Sequence, residues 1–191
     1  MNPSLGILTL NSLFYLISSV ISIFGLLLLL RAWLYRWAMS PNHPFMQLAH
    51  KSTDWIIKPL SRIVPPYRDF DTPTVLVALL TALLSMFVKQ WMFDVVFSPV
   101  DLIVMPIAIL LCWGLNMLVW GMLIWVILTW VNPTSMFTYT LNVLLEPFLR
   151  PVRRFLPSLG GFDFSPVVIF IVAQALLTVL MPIANGYVKL F

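Results

Sequence analysis

From residue 102 to residue 131 the chain runs thirty positions without an Asp, Glu, Lys, Arg or His. An uncharged stretch of that length reads as a membrane span, because helices of water-soluble domains are shorter and carry a polar face. As an α-helix it would reach about 45 Å at 1.5 Å per residue, beyond a hydrocarbon core of ~30 Å. It must therefore tilt, emerge from the bilayer or bend, and Pro106 is the expected break. Three more apolar stretches lie at 13–30, closed by Arg31, at 73–93, and at 166–188, with Lys189 at the exit. Lys89 does not interrupt the second of these, since its stem can lie along lipid while the ammonium reaches the headgroups. The first has no basic residue before it and no small-x-small cleavage pattern after it, so it is expected to stay in the mature chain. Only 9% of the residues are charged, against about a quarter in soluble domains, which excludes an ordinary soluble enzyme. The expected fold class is an all-α membrane protein with four transmembrane helices. The single cysteine, Cys112, lies inside an apolar run and has no internal partner for a disulfide.

Two longer connections, 38–72 and 132–165, carry most of the polar residues. In the first, Phe45, Leu48, Ala49, Trp55, Ile56, Pro59 and Ile63 recur at three- and four-residue spacing, opposite Gln47, His50, Lys51, Asp54, Lys58 and Arg62. In the second, Leu141, Leu144, Leu145, Phe148, Val152 and Phe155 stand against Asn142, Glu146, Arg150 and Arg153. An apolar stripe beside a basic one predicts amphipathic helices lying in the membrane interface. Pro59, Pro147 and Pro151 predict short helical pieces joined by kinks.

A shift of 92 residues superimposes the two connections. Asp54 falls on Glu146, Lys58-Pro59 on Arg150-Pro151, Arg62 on Arg154, Pro65 on Pro157, and Asp71 on Asp163. One residue more aligns Thr72-Pro73 with Ser165-Pro166. Shared hydrophobicity does not place acids, bases and prolines in one register, so the chain reads as an internal duplication. The expected units are residues 13–93 and 102–189, each span, interfacial loop and span, joined by a short external connection at 94–101. Two spans separate the equivalent loops, which puts both loops on one side and makes the repeat parallel. Nine of the eleven basic residues fall on that side, all except Lys89 and Lys189. The positive-inside rule then predicts cytoplasmic loops, with both termini periplasmic if the membrane is a bacterial inner membrane.

The segment Glu146-Pro-Phe-Leu-Arg-Pro-Val-Arg-Arg-Phe-Leu-Pro-Ser-Leu-Gly-Gly-Phe-Asp-Phe-Ser-Pro166 closely resembles the signature of the YggT family of bacterial inner-membrane proteins. The first loop resembles the degenerate first copy of that signature, and the likeness extends roughly from residue 13 to 188. The resemblance implies a small, two-repeat integral membrane protein without an assigned enzymatic activity. It also implies a link to osmotic tolerance, and in chloroplast relatives to cytochrome assembly and organelle organisation.

The motif residues divide into two groups. Asp54, Pro59, Pro65, Asp71, Glu146, Pro151, Pro157, Asp163 and Pro166 read as structural. Thr72-Pro73 and Ser165-Pro166 each place a capping hydroxyl before a proline suited to the first helical position. Asp71 and Asp163 stand just ahead of those starts, where a negative charge gains about 0.3–1 kcal/mol from the helix dipole. Gly160-Gly161 would allow a tight turn into the last span. Lys58, Arg62, Arg150, Arg153 and Arg154 are the candidate binding residues, for anionic lipid headgroups or a membrane-protein partner. Two plainer roles stand beside that one. The basic residues set orientation alone, or they pair within the helix as Asp54–Lys58 and Glu146–Arg150.

Within the spans, Ala78, Thr81, Ala82 and Ser85 form a stripe suited to close helix contact, and Asn116 and Gln174 read as interhelical hydrogen-bonding groups. No ionisable residue sits at the centre of a span, which disfavours a transporter working as a monomer. His43 and His50 lack a third patterned ligand, so no metal site is expected, nor any cofactor or nucleic-acid partner. The leading expectation is a non-enzymatic membrane scaffold or accessory subunit, alone or as a homo-oligomer. A transport-related protein of osmotic or ion homeostasis, acting as an oligomer, is the alternative, and an enzyme comes third.

Overall fold

The structure, a computed structural model, describes residues 3–37, 39–93, 96–156 and 163–186. Those residues form six helices and no strand: α1 (Pro3–Arg36), α2 (Pro44–Ser61), α3 (Thr72–Phe93), α4 (Asp101–Val131), α5 (Met136–Phe155) and α6 (Ser165–Ala184). Four of them, over Leu8–Arg36, Thr72–Phe93, Asp101–Val131 and Ser165–Ala184, are long and apolar enough to cross a membrane. Pro157, Ser158, Gly160, Gly161, Phe162 and Lys189 lie outside the described residues.

The chain packs in the same order in both halves. The first helix of each half rests against the two that follow it, α1 on α2 and α3, and α4 on α5 and α6. Contacts from α4 to α1 and α3 join the halves. In the first half Leu28, Ile57, Val77 and Ala78 knit α1, α2 and α3 together. In the second, Met122, Trp125, Leu145, Leu149 and Ile169 do the same for α4, α5 and α6. A third cluster, Leu34, Met46 and Leu144, brings α2 and α5 to the same end of the bundle. Small residues permit the close approaches that hold helices together in lipid, where burial of apolar surface supplies no drive. Ala78, Thr81 and Ala82 are buried on α3, and Gly25 of α1 lies hard against the ring of Trp113 on α4.

Several local expectations change. α4 is unbroken at Pro106, which sits near its N-terminus and removes one hydrogen bond from a helix otherwise intact. At 31 residues it is about 46 Å long, so tilt or protrusion takes up the excess over the ~30 Å core. Each loop carries one continuous helix instead of short pieces: Pro59 lies in the last turns of α2, and α5 runs through Pro147 and Pro151. Both prolines of α5 are exposed and four residues apart, so the hydrogen bonds they delete lie along one outward face of the helix. Asn116 donates to the Cys112 carbonyl of its own helix at 2.7 Å, and Gln174 is exposed, so neither bonds between helices among the described residues.

Candidate interfacial site

Each half gathers a cluster of polar groups beside its connecting helix, around Asp54 on α2 and around Glu146 on α5. Asp71 precedes α3 and acts as its cap, accepting from the Thr74 N–H at 3.4 Å and the Thr74 hydroxyl at 2.5 Å. The capping role expected of Thr72 therefore belongs to the aspartate, whose backbone carbonyl already accepts the Val75 N–H. Arg31, at the end of α1 and only 8% exposed, closes the arrangement. Its Nη1 reaches Asp54 Oδ1 at 2.6 Å and donates to Thr53 Oγ1 at 2.8 Å, while Nε lies 3.4 Å from Asp71 Oδ2. One guanidinium thus ties the connecting helix α2 to the start of span α3. A planar fork with five donors suits that bridging geometry, which an ammonium does not reproduce.

Asp54 collects three side-chain neighbours, since His50 Nδ1 and Lys58 Nζ also lie 2.9 Å from its oxygens. Partial burial pushes its carboxyl up, but hydrogen bonds from His50, Lys58 and Arg31, with the charge of Arg31, outweigh that and hold it well below its usual range.

The second half builds the same bridge with a different arginine. Arg153 Nη1 reaches Glu146 Oε2 at 2.8 Å, and its Nη2 and Nε reach Asp163 Oδ2 at 2.8 and 2.9 Å. Glu146 and Asp163 are the residues that the 92-residue register sets against Asp54 and Asp71. The bridging arginine is not conserved in that register: Arg31 corresponds to Leu123, and Arg153 to Ser61. The Glu146–Arg150 pair expected from four-residue spacing is replaced by one seven residues apart, two turns along α5, where Arg153 can also reach Asp163. Asp163 accepts the Ser165 N–H at 2.9 Å, so here too the aspartate supplies the acceptor expected of the Ser165 hydroxyl. Burial pushes the Asp163 carboxyl up, and the Ser165 hydrogen bonding and Arg153 outweigh it, leaving the carboxyl below its ordinary range.

α2 and α5 are also joined to each other and to α1. His43 caps α2 by accepting the Phe45 N–H on Nδ1 at 3.3 Å, which leaves Nε2 to donate to Thr140 Oγ1 on α5 at 2.8 Å. The Trp33 indole donates to the Leu144 carbonyl at 3.3 Å and its ring stacks on Phe148.

The five candidate binding residues separate accordingly. Lys58 and Arg153 are held by carboxylates. Arg62, Arg150 and Arg154 are exposed and make no ion pair among the described residues. Pro59, Pro65 and Pro151 are exposed beside them, whereas Pro166 is buried at the start of α6. Arg31 and His43, which link separate helices, stood out in the sequence only as an orienting charge and a weak metal ligand. Their partners are 40 and 97 residues away, beyond any spacing pattern. Among the described residues no group of three or more His, Cys, Asp or Glu side chains is placed to hold a metal ion.

A family model described as CCB3/YggT matches the chain twice, over residues 10–92 and 104–184. A relative named "Uncharacterized protein YggT" from Escherichia coli (strain K12) is 36% identical over 162 residues, 83% of this chain and 84% of the relative. A protein of Vibrio alginolyticus, named for its position in the proC 3' region, is 34% identical over 168 residues, covering 86% and 90%. One from Haemophilus influenzae is 30% identical over 170 residues, covering 89% and 92%. No solved structure matches the chain.

Proposed function

The chain belongs to the CCB3/YggT family, and from that premise we propose that it is a non-catalytic membrane accessory protein whose interfacial helices engage the anionic inner face of a bacterial inner membrane. The observation that carries the reading is the division among the basic side chains. Arg31, Arg153 and Lys58 are answered by carboxylates, while Arg62, Arg150 and Arg154 are exposed without one among the described residues. Basic residues beside an anionic leaflet gain about 1 kcal/mol each, and an arginine can also grip a phosphate with two hydrogen bonds. The clamps give this surface its rigidity, because they hold α2 and α5 to the span ends.

Exchange for lysine separates gripping from mere orientation, since charge is kept and the planar fork is lost. The first-copy counterpart of Arg150 is already lysine, at position 58, whereas Arg154 matches Arg62. Arg154→Lys is therefore expected to lower the anionic phospholipid that co-purifies with the full chain more than Arg150→Lys does, with membrane insertion unchanged. If the double lysine variant keeps its lipid complement and still complements a deletion strain, topology setting is the better account. Loss of a co-purifying protein with lipid unchanged would favour a partner instead.

The orientation has its own test. With Cys112 replaced by alanine, cysteines introduced for Ser61 and Thr134 are expected to react with an impermeant thiol reagent only once it enters the cytoplasm. A cysteine for Ser4 is expected to react from outside. Labelling of the 61 and 134 positions from opposite sides would end the parallel-repeat account.

A transport-related role has one observation in its favour, a cavity of about 470 Å³ between the spans, with Ser18, Ser22, Ser85 and Asn116 in its lining. Stoichiometry in native lipid discriminates: a closed homo-oligomer supports transport, and a single copy within a larger complex supports the accessory reading.

A further inference from the structure

A second cavity, about 810 Å³, opens between α1, α4 and α5, within the ~300–1,000 Å³ usual for small-molecule sites. Its walls are apolar and include Leu30 and Trp33 of α1, Leu118 of α4, and Leu144 and Phe148 of α5. On α1 its lining runs from Ile23 to Arg36, about 20 Å of helix at 1.5 Å per residue. That depth matches one leaflet, roughly half of a ~30 Å hydrocarbon core plus part of the headgroup layer. Two glycines keep α4 bare along the groove. A Cβ added at Gly114 meets nothing within 4 Å, and one at Gly121 meets only Leu145 Cδ2, at 3.8 Å.

The mouth has a charge pattern of its own. Arg36 and Asp69 both line it, and Arg36 Nη1 lies 3.1 Å from Asp69 Oδ2 with both side chains exposed. Asp69 is presented there by a tight turn in which Tyr67 and Phe70 exchange backbone hydrogen bonds at 3.0 and 2.9 Å, with Arg68 in the left-handed region at φ 51°. Asp71, also at the mouth, is already held by Arg31.

We propose that this groove holds one phospholipid with an ethanolamine headgroup, its acyl chain between α1, α4 and α5, its phosphate on Arg36 and its ammonium on Asp69. An anionic headgroup would find Arg36 but would be repelled by Asp69. A choline headgroup offers no N–H for the carboxylate to accept. An apolar helix from a second copy would cover the ion pair and give it no partner. The site requires that α2 and α5 lie at a membrane surface, but neither its side nor Arg62, Arg150 or Arg154 enters into it.

The test is to incorporate the full chain into bilayers of equal parts palmitoyl-oleoyl phosphatidylethanolamine, phosphatidylcholine and phosphatidylglycerol, then count retained lipids by native mass spectrometry. One phosphatidylethanolamine per chain is expected, enriched roughly tenfold over phosphatidylcholine, the effect of one charge-assisted hydrogen bond at the lower end of its range. Gly114→Leu, which fills the groove from an open position, is expected to abolish that retention while the unfolding temperature holds. Asp69→Asn is expected to shift preference to phosphatidylglycerol, and the Arg150→Lys, Arg154→Lys double variant to leave the retained phosphatidylethanolamine unchanged. Equal retention of all three lipids, or undiminished phosphatidylethanolamine in Gly114→Leu, overturns the proposal. So does a dimer that Gly114→Leu dissolves, since the groove would then belong to a second copy. Should Gly114→Leu fail to accumulate, the exposed Asp69→Asn exchange decides alone, and an unchanged lipid preference there overturns the proposal.

Discussion

Replacing Arg31 by methionine is expected to destabilise the chain by about 3–5 kcal/mol, the usual cost of stranding buried carboxylates by removing their shared partner. Asp71 is 4% exposed and Arg31 is the cation that faces it, while Asp54 would keep His50 and Lys58. Arg153→Met removes the equivalent bridge in the second half, yet Glu146 and Asp163 keep 43% and 33% of their side-chain surface in contact with solvent. Water can answer those charges, so about 1 kcal/mol or less is expected there. Thermal unfolding of both variants in the same detergent or nanodisc checks the difference. Equal shifts would mean that Arg31 is not the buried keystone described above. Arg31→Lys is expected to fall between, because one ammonium cannot span Thr53, Asp54 and Asp71 together.

Gly25→Ala is expected to cost about 1–3 kcal/mol, although alanine is the better helix former, because the added methyl overlaps the Trp113 ring. Trp113 is buried and cannot swing away without opening the α1–α4 contact. Gly114→Ala is the control of opposite sign, since its methyl points into open space and gains up to about 1 kcal/mol of helix propensity. Unfolding temperature together with tryptophan fluorescence separates the two. A neutral Gly25→Ala would show that the spans part easily at this crossing.

Hydropathy located the spans because lipid imposes a length and a composition that nothing soluble shares. That each connection would be helical was legible from three- and four-residue spacing, which α2 and α5 obey even through their prolines. The Asp54–Lys58 pair was legible from its four-residue spacing, and what escaped was the arginine that bridges each half. The likeness between Asp54 and Glu146, and between Asp71 and Asp163, was visible as a register, but its partner was not, because the bridging arginine comes from α1 in the first half and from α5 in the second. A charge at the end of a hydrophobic run, such as Arg31, reads naturally as an orienting residue, and only the packing of α1 against α2 and α3 turns it inward. Thr72 and Asp71 illustrate a finer ambiguity. Adjacent residues both have capping chemistry, and the backbone, not the side-chain type, decides which one stands at the boundary.

The exchanged arginines bear on the order in which the chain can assemble during synthesis. The second-half bridge joins residues 146, 153 and 163, so all of its members are present within eighteen residues of chain. The first-half bridge joins residues 31, 54 and 71, and it waits until a finished helix, a whole connecting segment and the beginning of another helix have left the ribosome. Contacts distant in sequence form late because loop closure must come first. Although α1 is made before α2 and α3, its Arg31 keeps an unanswered positive charge through that interval, until both aspartates arrive. The opening half therefore matures as one cooperative unit, and the closing half can latch its hairpin of α5 and α6 almost as soon as it is made.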